Sequence, residues 1–106
     1  MKDILSEIVA NKRFEIDIQK MNFNEEILKD HVDPTIPCHS LRAALSCSRS
    51  GIISEFKRRS PSKGWIHQNA APIDIVPAYA KAGASALSIL TDEKFFGGQL
   101  KDIKSV

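Results

Sequence analysis

Residues 51–57 read GIISEFK and predict a short β-strand. Successive side chains of a strand alternate between its two faces, so Glu55 and Lys57 share one face and Phe56 takes the other. Residues 85–90 read SALSIL, which are nearly all small or apolar, as expected of a second strand that is covered on both faces. These two strands indicate the sheet around which the rest of the chain is arranged.

The segments around the strands complete an alternating order of strands and helices. A polar loop over residues 58–71 precedes a helix predicted over 74–82, in which Pro77 is tolerable only in the first turn. A loop over 91–98 and the start of another helix over 99–106 follow the second strand. This order predicts a parallel α/β sheet, and because two strands do not make a stable sheet, we expect further strands to complete it.

Helices are predicted before the first strand. Residues 3–20 carry an apolar stripe at helical spacing, although the alternation over 14–18 suggests that the helix stops or bends there. Asn24 is a candidate N-cap for a second short helix, and Ser40 is one for a helix over 41–48.

Composition limits the functional classes. The chain has 106 residues, 42% of them hydrophobic and 26% charged, with a net charge of +2, which is too small to imply a nucleic-acid partner. Cys38 and Cys47 form no CxxC pair or metal-binding spacing, and we interpret them as reduced thiols. The sequence has neither a secretory signal nor an apolar run near the ~20 residues of a membrane helix, so we expect a cytoplasmic protein with no membrane partner.

Glu55 and Lys57 are the most informative charged residues. They lie two positions apart at the C-terminal end of the predicted strand, where parallel α/β folds carry their active sites. A carboxylate and an ammonium at this place can hold each other ionised and position an anionic substrate. An exposed ion pair of little energetic consequence is the alternative that spacing alone leaves open.

The loop over residues 57–64 concentrates four cations, two hydroxyls and a glycine. It is compatible with an anion-binding loop, with a nucleic-acid or targeting patch, and with a solvated charged turn. Phe95 and Phe96 after the second strand can pack on a neighbouring helix or line an apolar pocket. Trp65 and the three histidines have no partner spacing typical of a metal site or a catalytic triad, so we expect them at the surface: His31, His39 and His67.

Several of these motifs together resemble one enzyme family. Residues 52–64 read IISEFKRRSPSKG and resemble the first-strand signature of the indole-3-glycerol phosphate synthases, roughly Ile-Ala-Glu-x-Lys-Arg-x-Ser-Pro-Ser-x-Gly. Residues 79–98 are similar to the second strand and loop of that family, and residues 4–12 to its N-terminal helix. Ser54 stands where alanine is common, a mild departure.

The resemblance implies an α/β fold that is the N-terminal part of a (β/α)8 TIM barrel with an N-terminal helical extension. Residues 1–50 would form the extension and residues 51–106 the first two βα units. Because such barrels take about 250 residues, we expect the 106 residues to be a fragment of the enzyme.

The resemblance also implies the reaction and its residues. The family closes the indole ring in tryptophan biosynthesis, converting 1-(2-carboxyphenylamino)-1-deoxyribulose 5-phosphate to indole-3-glycerol phosphate, carbon dioxide and water, without a metal or organic cofactor. By resemblance, Lys57 contacts anionic groups of the substrate and supports acid chemistry, and Glu55 pairs with active-site lysines. Ser60 lies by the phosphate or carboxylate, Pro61 shapes the loop, and Phe96 walls the pocket of the anthranilate ring.

Some family features are missing from these residues. The general-acid lysine of the third-strand Lys-Asp-Phe motif and the later general-base glutamate are absent, and residues 101–103 fall too early to match that motif. We therefore expect no synthase activity from the isolated chain. Another sugar-phosphate barrel, such as phosphoribosylanthranilate isomerase, and a non-enzymatic anion- or nucleic-acid-binding module are the alternatives. We expect a phosphorylated small-molecule substrate, no nucleic acid, and a parent enzyme that is monomeric or fused to another tryptophan-pathway domain.

Overall fold

A computed structural model describes residues 3–106, which divide into two compact units. The first unit ends at Cys38 and the second runs from His39 to Val106. No helix among residues 3–106 is long and apolar enough to cross a bilayer. The domain boundary predicted at residue 50 concerns a complete barrel and stays a prediction.

The first unit consists of helices α1 (Ile4–Asn22) and α2 (Glu25–Asp30). The Asn24 side chain accepts a hydrogen bond from the Ile27 backbone at 2.8 Å, which confirms its predicted role as N-cap. The prediction that the helix stops over residues 14–18 is wrong, because α1 continues to Asn22, and a bend there stays a prediction. That stretch contains neither glycine nor proline, and its alternating residues are compatible with helical backbone.

The second unit begins with helix α3 (Leu41–Cys47), whose N-cap is Ser40, as predicted. Strands β1 (Ile53–Phe56) and β4 (Ala86–Ile89) pair in parallel, which confirms the predicted α/β class. Helix α4 (Pro72–Lys81) forms the crossover between them, because parallel neighbours cannot be joined by a tight turn.

The start of α4 differs from the prediction. The helix begins at Pro72 rather than near residue 74, so Pro77 lies in its second turn and not in its first. Proline is well suited to the first helical position because its missing N–H would have no intrahelical partner there. Ala71, which precedes it, is extended, as residues before proline prefer to be.

Both loops after the strands contain short elements that the sequence did not predict. Strands β2 (Arg59–Ser60) and β3 (Gly64–Trp65) form an antiparallel hairpin within the loop predicted over 58–71. Helix α5 (Glu93–Phe96) lies in the loop predicted over 91–98. The last helix, α6 (Lys101–Lys104), is shorter than the helix predicted over 99–106.

A small apolar core joins the sheet to α4. Phe56, Ala70 and Val76 are buried, and Ile75 and Ile89 pack against them. Since β1 side chains alternate, Glu55 points away from this core.

Candidate functional site

The Glu55 carboxylate and the Lys57 ammonium form an ion pair at the C-terminal end of β1. Glu55 Oε1 lies 3.0 Å from Lys57 Nζ, so the two side chains contact each other, as the two-residue spacing predicts. They are 43% and 33% exposed, which leaves both accessible to a bound molecule.

Ser88 is the second partner of Glu55. The parallel register places Ser88 directly opposite Glu55, and the Ser88 hydroxyl donates a hydrogen bond to Glu55 Oε2 at 2.9 Å. The hydrogen bond from Lys57, and then that from Ser88, hold the pKa of Glu55 below its usual value. Glu55 is therefore a fixed anion at neutral pH, with each carboxylate oxygen occupied.

Phe96 of α5 completes this group of side chains. The Lys57 Nζ lies 5.6 Å from the centroid of the Phe96 ring, within the range of a cation–π contact. Helix α5 holds Phe96 because Asp92 caps its first turn by accepting a hydrogen bond from Phe95 N at 2.9 Å, and Gly97 ends it in the left-handed region at φ 65°. The structure thus brings together three residues that the sequence singled out, Glu55, Lys57 and Phe96.

Ser60 and Pro61 lie in the β2–β3 hairpin. Ser60 Oγ accepts a hydrogen bond from Lys63 N at 3.2 Å, which closes the turn that contains Pro61. Within residues 3–106, no hydrogen bond or ion pair connects Ser60 or Pro61 to Glu55 and Lys57. The structure places them on the adjoining loop, and their contact with a substrate stays a prediction.

Arg59 fastens the hairpin to α5. Its guanidinium lies over the Trp65 ring at 5.5 Å and donates from Nη1 to the Lys94 carbonyl at 2.9 Å. Trp65 also packs so closely on Gly97 that a Cβ there would lie 2.9 Å from the indole. Trp65 is 50% exposed, which confirms its predicted surface position, but it lies in the hairpin and has a packing role there.

Arg58 is the most completely satisfied cation of the loop. Its Nη1 and Nη2 bind the Asp102 carboxylate at 2.6 and 2.9 Å, and these side chains are only 15% and 4% exposed. Arg58 also donates from Nε to the Ala70 carbonyl at 2.8 Å and from Nη1 to the Gly97 carbonyl at 3.1 Å. Three of the four cations considered for anion binding therefore make side-chain contacts within the chain: Lys57, Arg58 and Arg59.

Sequence patterns alone did not predict these roles of Ser88, Arg58 and Asp102. A polar residue in the otherwise apolar β4, directly across from a strand carboxylate, is a signal that could have drawn attention to Ser88. Nothing local predicts the ion pair, since its partners are 44 positions apart. Among residues 3–106, no cluster of three or more His, Cys, Asp or Glu could hold a metal ion.

Comparison with known proteins matches this chain to one enzyme family. A family model described as Indole-3-glycerol phosphate synthase matches residues 5–106. The Indole-3-glycerol phosphate synthase of Bacteroides thetaiotaomicron is 64% identical over 105 residues, which cover 99% of this chain and 40% of the relative.

More distant relatives carry the same name. The Indole-3-glycerol phosphate synthase of a Roseiflexus species is 36% identical over 107 residues, with 100% of this chain and 40% of the relative covered. The chloroplastic Indole-3-glycerol phosphate synthase of Arabidopsis thaliana is 34% identical over 110 residues, with 99% and 27% covered. The chain thus spans about 40% of the length of these bacterial relatives.

Proposed function

Because the chain belongs to the indole-3-glycerol phosphate synthase family, we propose that it supplies the first part of an active site for indole ring closure. The reaction converts 1-(2-carboxyphenylamino)-1-deoxyribulose 5-phosphate to indole-3-glycerol phosphate with loss of carbon dioxide and water, a step of tryptophan biosynthesis. The observation that carries this proposal is the Glu55–Lys57 ion pair at the C-terminal end of β1, beside the ring of Phe96.

The proposal includes a place in a larger fold. Residues 51–106 would be the first two βα units of a (β/α)8 barrel and residues 1–50 its helical extension. The exposed apolar side chains of the sheet support this, since Ile53 on the face of Glu55 is 52% exposed and Leu87 on the opposite face is 40% exposed. Further strands and helices packed on both faces would bury them.

The chemistry of the pair suits the reaction. When the aryl carbon attacks the ribulose carbonyl, negative charge develops on the carbonyl oxygen, and a positioned ammonium stabilises that charge or donates a proton to it. Lys57 provides such an ammonium and a contact for the substrate's anionic groups. Glu55 is held ionised, so its role is to orient Lys57 and other lysines rather than to donate a proton.

The loop and the aromatic ring serve binding in this proposal. Phe96 offers an apolar wall for the anthranilate ring next to the Lys57 ammonium. Ser60 and Pro61 lie on the hairpin that follows β1, where a hydroxyl can reach a phosphate or carboxylate. The other catalytic groups would come from parts of the barrel outside residues 1–106, and the cytoplasmic location and the oligomeric state stay predictions.

A chimera tests the proposed function. Residues 1–106 replace the aligned segment of the 64%-identical Bacteroides relative, and formation of indole-3-glycerol phosphate is measured by its indole absorbance. We expect turnover by the chimera and none by residues 1–106 alone. Lys57→Ala in the chimera is expected to lower kcat/KM by about 100-fold or more, the size typical of a positioned acid.

The chain offers a matched control for this substitution. Lys29 pairs with Glu25 at the same Nζ–Oε1 distance of 3.0 Å, but these side chains are 72% and 81% exposed on the surface of α2. Lys29→Ala should leave kcat/KM within about twofold of the unsubstituted chimera, because exposed ion pairs contribute little. A folded chimera without turnover, or equal effects of the two substitutions, would contradict the proposal.

A further inference from the structure

Ser88 is a polar side chain without a role in the mechanism described so far. It lies in the middle of β4, whose other residues are Ala86, Leu87 and Ile89. A serine within a strand gives up packing that an apolar residue would provide. A specific contact is therefore the better explanation for its presence, and the contact observed is the hydrogen bond to Glu55 Oε2.

This contact determines how the Glu55 carboxylate is held. Glu55 has three side-chain torsions and is 43% exposed, so one bond to the mobile ammonium of Lys57 would leave the carboxylate free to turn. A second bond from Ser88, whose short side chain is fixed by a parallel strand, removes that freedom. Lys57 is then held between a fixed anion at 3.0 Å and the ring of Phe96 at 5.6 Å.

We propose that Ser88 is a positioning residue: its hydroxyl fixes the Glu55 carboxylate, which in turn holds the Lys57 ammonium beside Phe96. This role rests on the proposed function, because the direction of the Lys57 ammonium affects the reaction only when a substrate is bound. Ser88 does not need to touch the substrate itself, because its hydroxyl hydrogen is committed to Glu55.

The test uses the chimera described above. Ser88→Ala removes the hydroxyl and is expected to lower kcat/KM on the order of tenfold, the size that corresponds to loss of one hydrogen bond to a charged acceptor. Ser88→Thr keeps a hydroxyl and adds a β-branch that strands favour, so it should restore most of the activity. Thermal melting of each variant shows whether it is folded.

A matched control comes from the neighbouring strand. Ser54 is a half-buried serine of β1 that pairs with Leu87 and faces away from Glu55. Ser54→Ala should leave kcat/KM unchanged within about twofold, as expected for a serine outside the site.

A double-mutant cycle separates positioning from general support of the fold. If Ser88 acts through Glu55, then Ser88→Ala has no further effect on kcat/KM in a Glu55→Ala background. A tenfold loss that persists in that background would overturn the role, as would a threonine variant that is folded but as impaired as the alanine one.

The cycle also distinguishes this inference from the proposed function. An active chimera in which Ser88→Ala has no effect would refute the positioning role and leave the function standing. A folded but inactive unsubstituted chimera would refute the function, and the positioning role with it.

Discussion

Glu55 shows how two neighbours fix the character of an ionisable side chain. One carboxylate oxygen binds the Lys57 ammonium and the other accepts the Ser88 hydroxyl. Both partners bind the ionised form more strongly than the neutral form, which is why the pKa of Glu55 is lowered. A carboxylate of this kind orients cations well but is a poor proton donor near neutral pH.

The titration of Glu55 tests this arrangement. Lys57→Met removes the largest cause of the lowered pKa and should raise the pKa of Glu55 toward its usual value of 4.5. Ser88→Ala removes the second cause and should raise it by a smaller amount. Carboxyl carbon chemical shifts of Glu55 in the chimera, followed by NMR as the pH falls, measure both.

The control for this titration is Lys29→Met, which removes an ion pair of the same Nζ–Oε1 distance within the first unit. It should leave the Glu55 titration unchanged. A pKa of Glu55 that does not respond to Lys57→Met would show that the ion pair is absent in solution.

At the scale of elements, the sequence predicted what local signals determine. The caps Asn24 and Ser40 were correct because a capping side chain bonds to backbone only a few residues away. Alternating and apolar patterns were enough to predict β1 and β4 in parallel. The two-residue spacing of Glu55 and Lys57 was likewise enough to predict that their side chains share one face of the strand.

Elements that depend on distant contacts were not predicted. The β2–β3 hairpin is stabilised by Arg59, whose partner Lys94 is 35 positions away, and no local pattern indicates such a pairing. The chemistry of Arg58 was likewise misjudged, because a basic run gives no sign that Asp102 will occupy the guanidinium. Strand register explains why Ser88 was missed, since the sequence alone does not specify which residues lie opposite each other.

The ion pair of Arg58 and Asp102 connects three elements, and we expect it to stabilise the fold. Arg58 connects the end of β1 to α6 through Asp102, and to the Gly97 carbonyl that follows α5. Asp102→Ala leaves the nearly buried Arg58 without its carboxylate partner. Breaking a pair of this kind lowers the free energy of unfolding by about 3 kcal/mol. In the chimera, the substitution should lower the apparent Tm by several degrees, measured by circular dichroism.

The pH dependence of this contribution has a defined sign. The hydrogen bonds from Arg58, followed by that from Gln99 N, lower the pKa of Asp102 in the folded chain below its usual value of 3.8. As the pH falls, Asp102 therefore binds a proton at a higher pH in the unfolded chain than in the folded chain. The ion pair stabilises the fold above about pH 4, and this stabilisation is lost as the pH falls through the lowered pKa. The difference in Tm between the unsubstituted chimera and Asp102→Ala should shrink as the pH is lowered below about 4.

Asp74→Ala, which removes an exposed carboxylate from α4, is the control for both measurements and should leave the Tm within about 2 °C. A difference between the unsubstituted chimera and Asp102→Ala that grows on acidification would contradict the assigned sign.

At the scale of the whole molecule, the contacts of the second unit begin before the first strand. Ser50 Oγ donates to the Gly83 carbonyl at 2.6 Å and lies 2.9 Å from Ser85 Oγ, which also contacts Ser48 Oγ. These bonds, together with the packing of α3 on β4, attach residues 39–50 to the sheet. A truncation at residue 50 would remove these contacts, whereas a truncation after Cys38 would keep them.

Two truncations distinguish the boundaries. In the chimera, a start at residue 39 keeps every contact of the second unit, whereas a start at residue 51 removes α3 and the bonds of Ser48 and Ser50. We expect the shorter chimera to have a free energy of unfolding lower by about 1.5–4.5 kcal/mol, because it loses the bonds from Ser48 to Ser85 and from Ser50 to Gly83 and Ser85, each of which contributes roughly 0.5–1.5 kcal/mol net. Urea denaturation followed by circular dichroism measures this difference. Ser50→Ala in the chimera that starts at residue 39 should account for part of it, and equal stability of the two truncated chimeras would instead favour the boundary at residue 50.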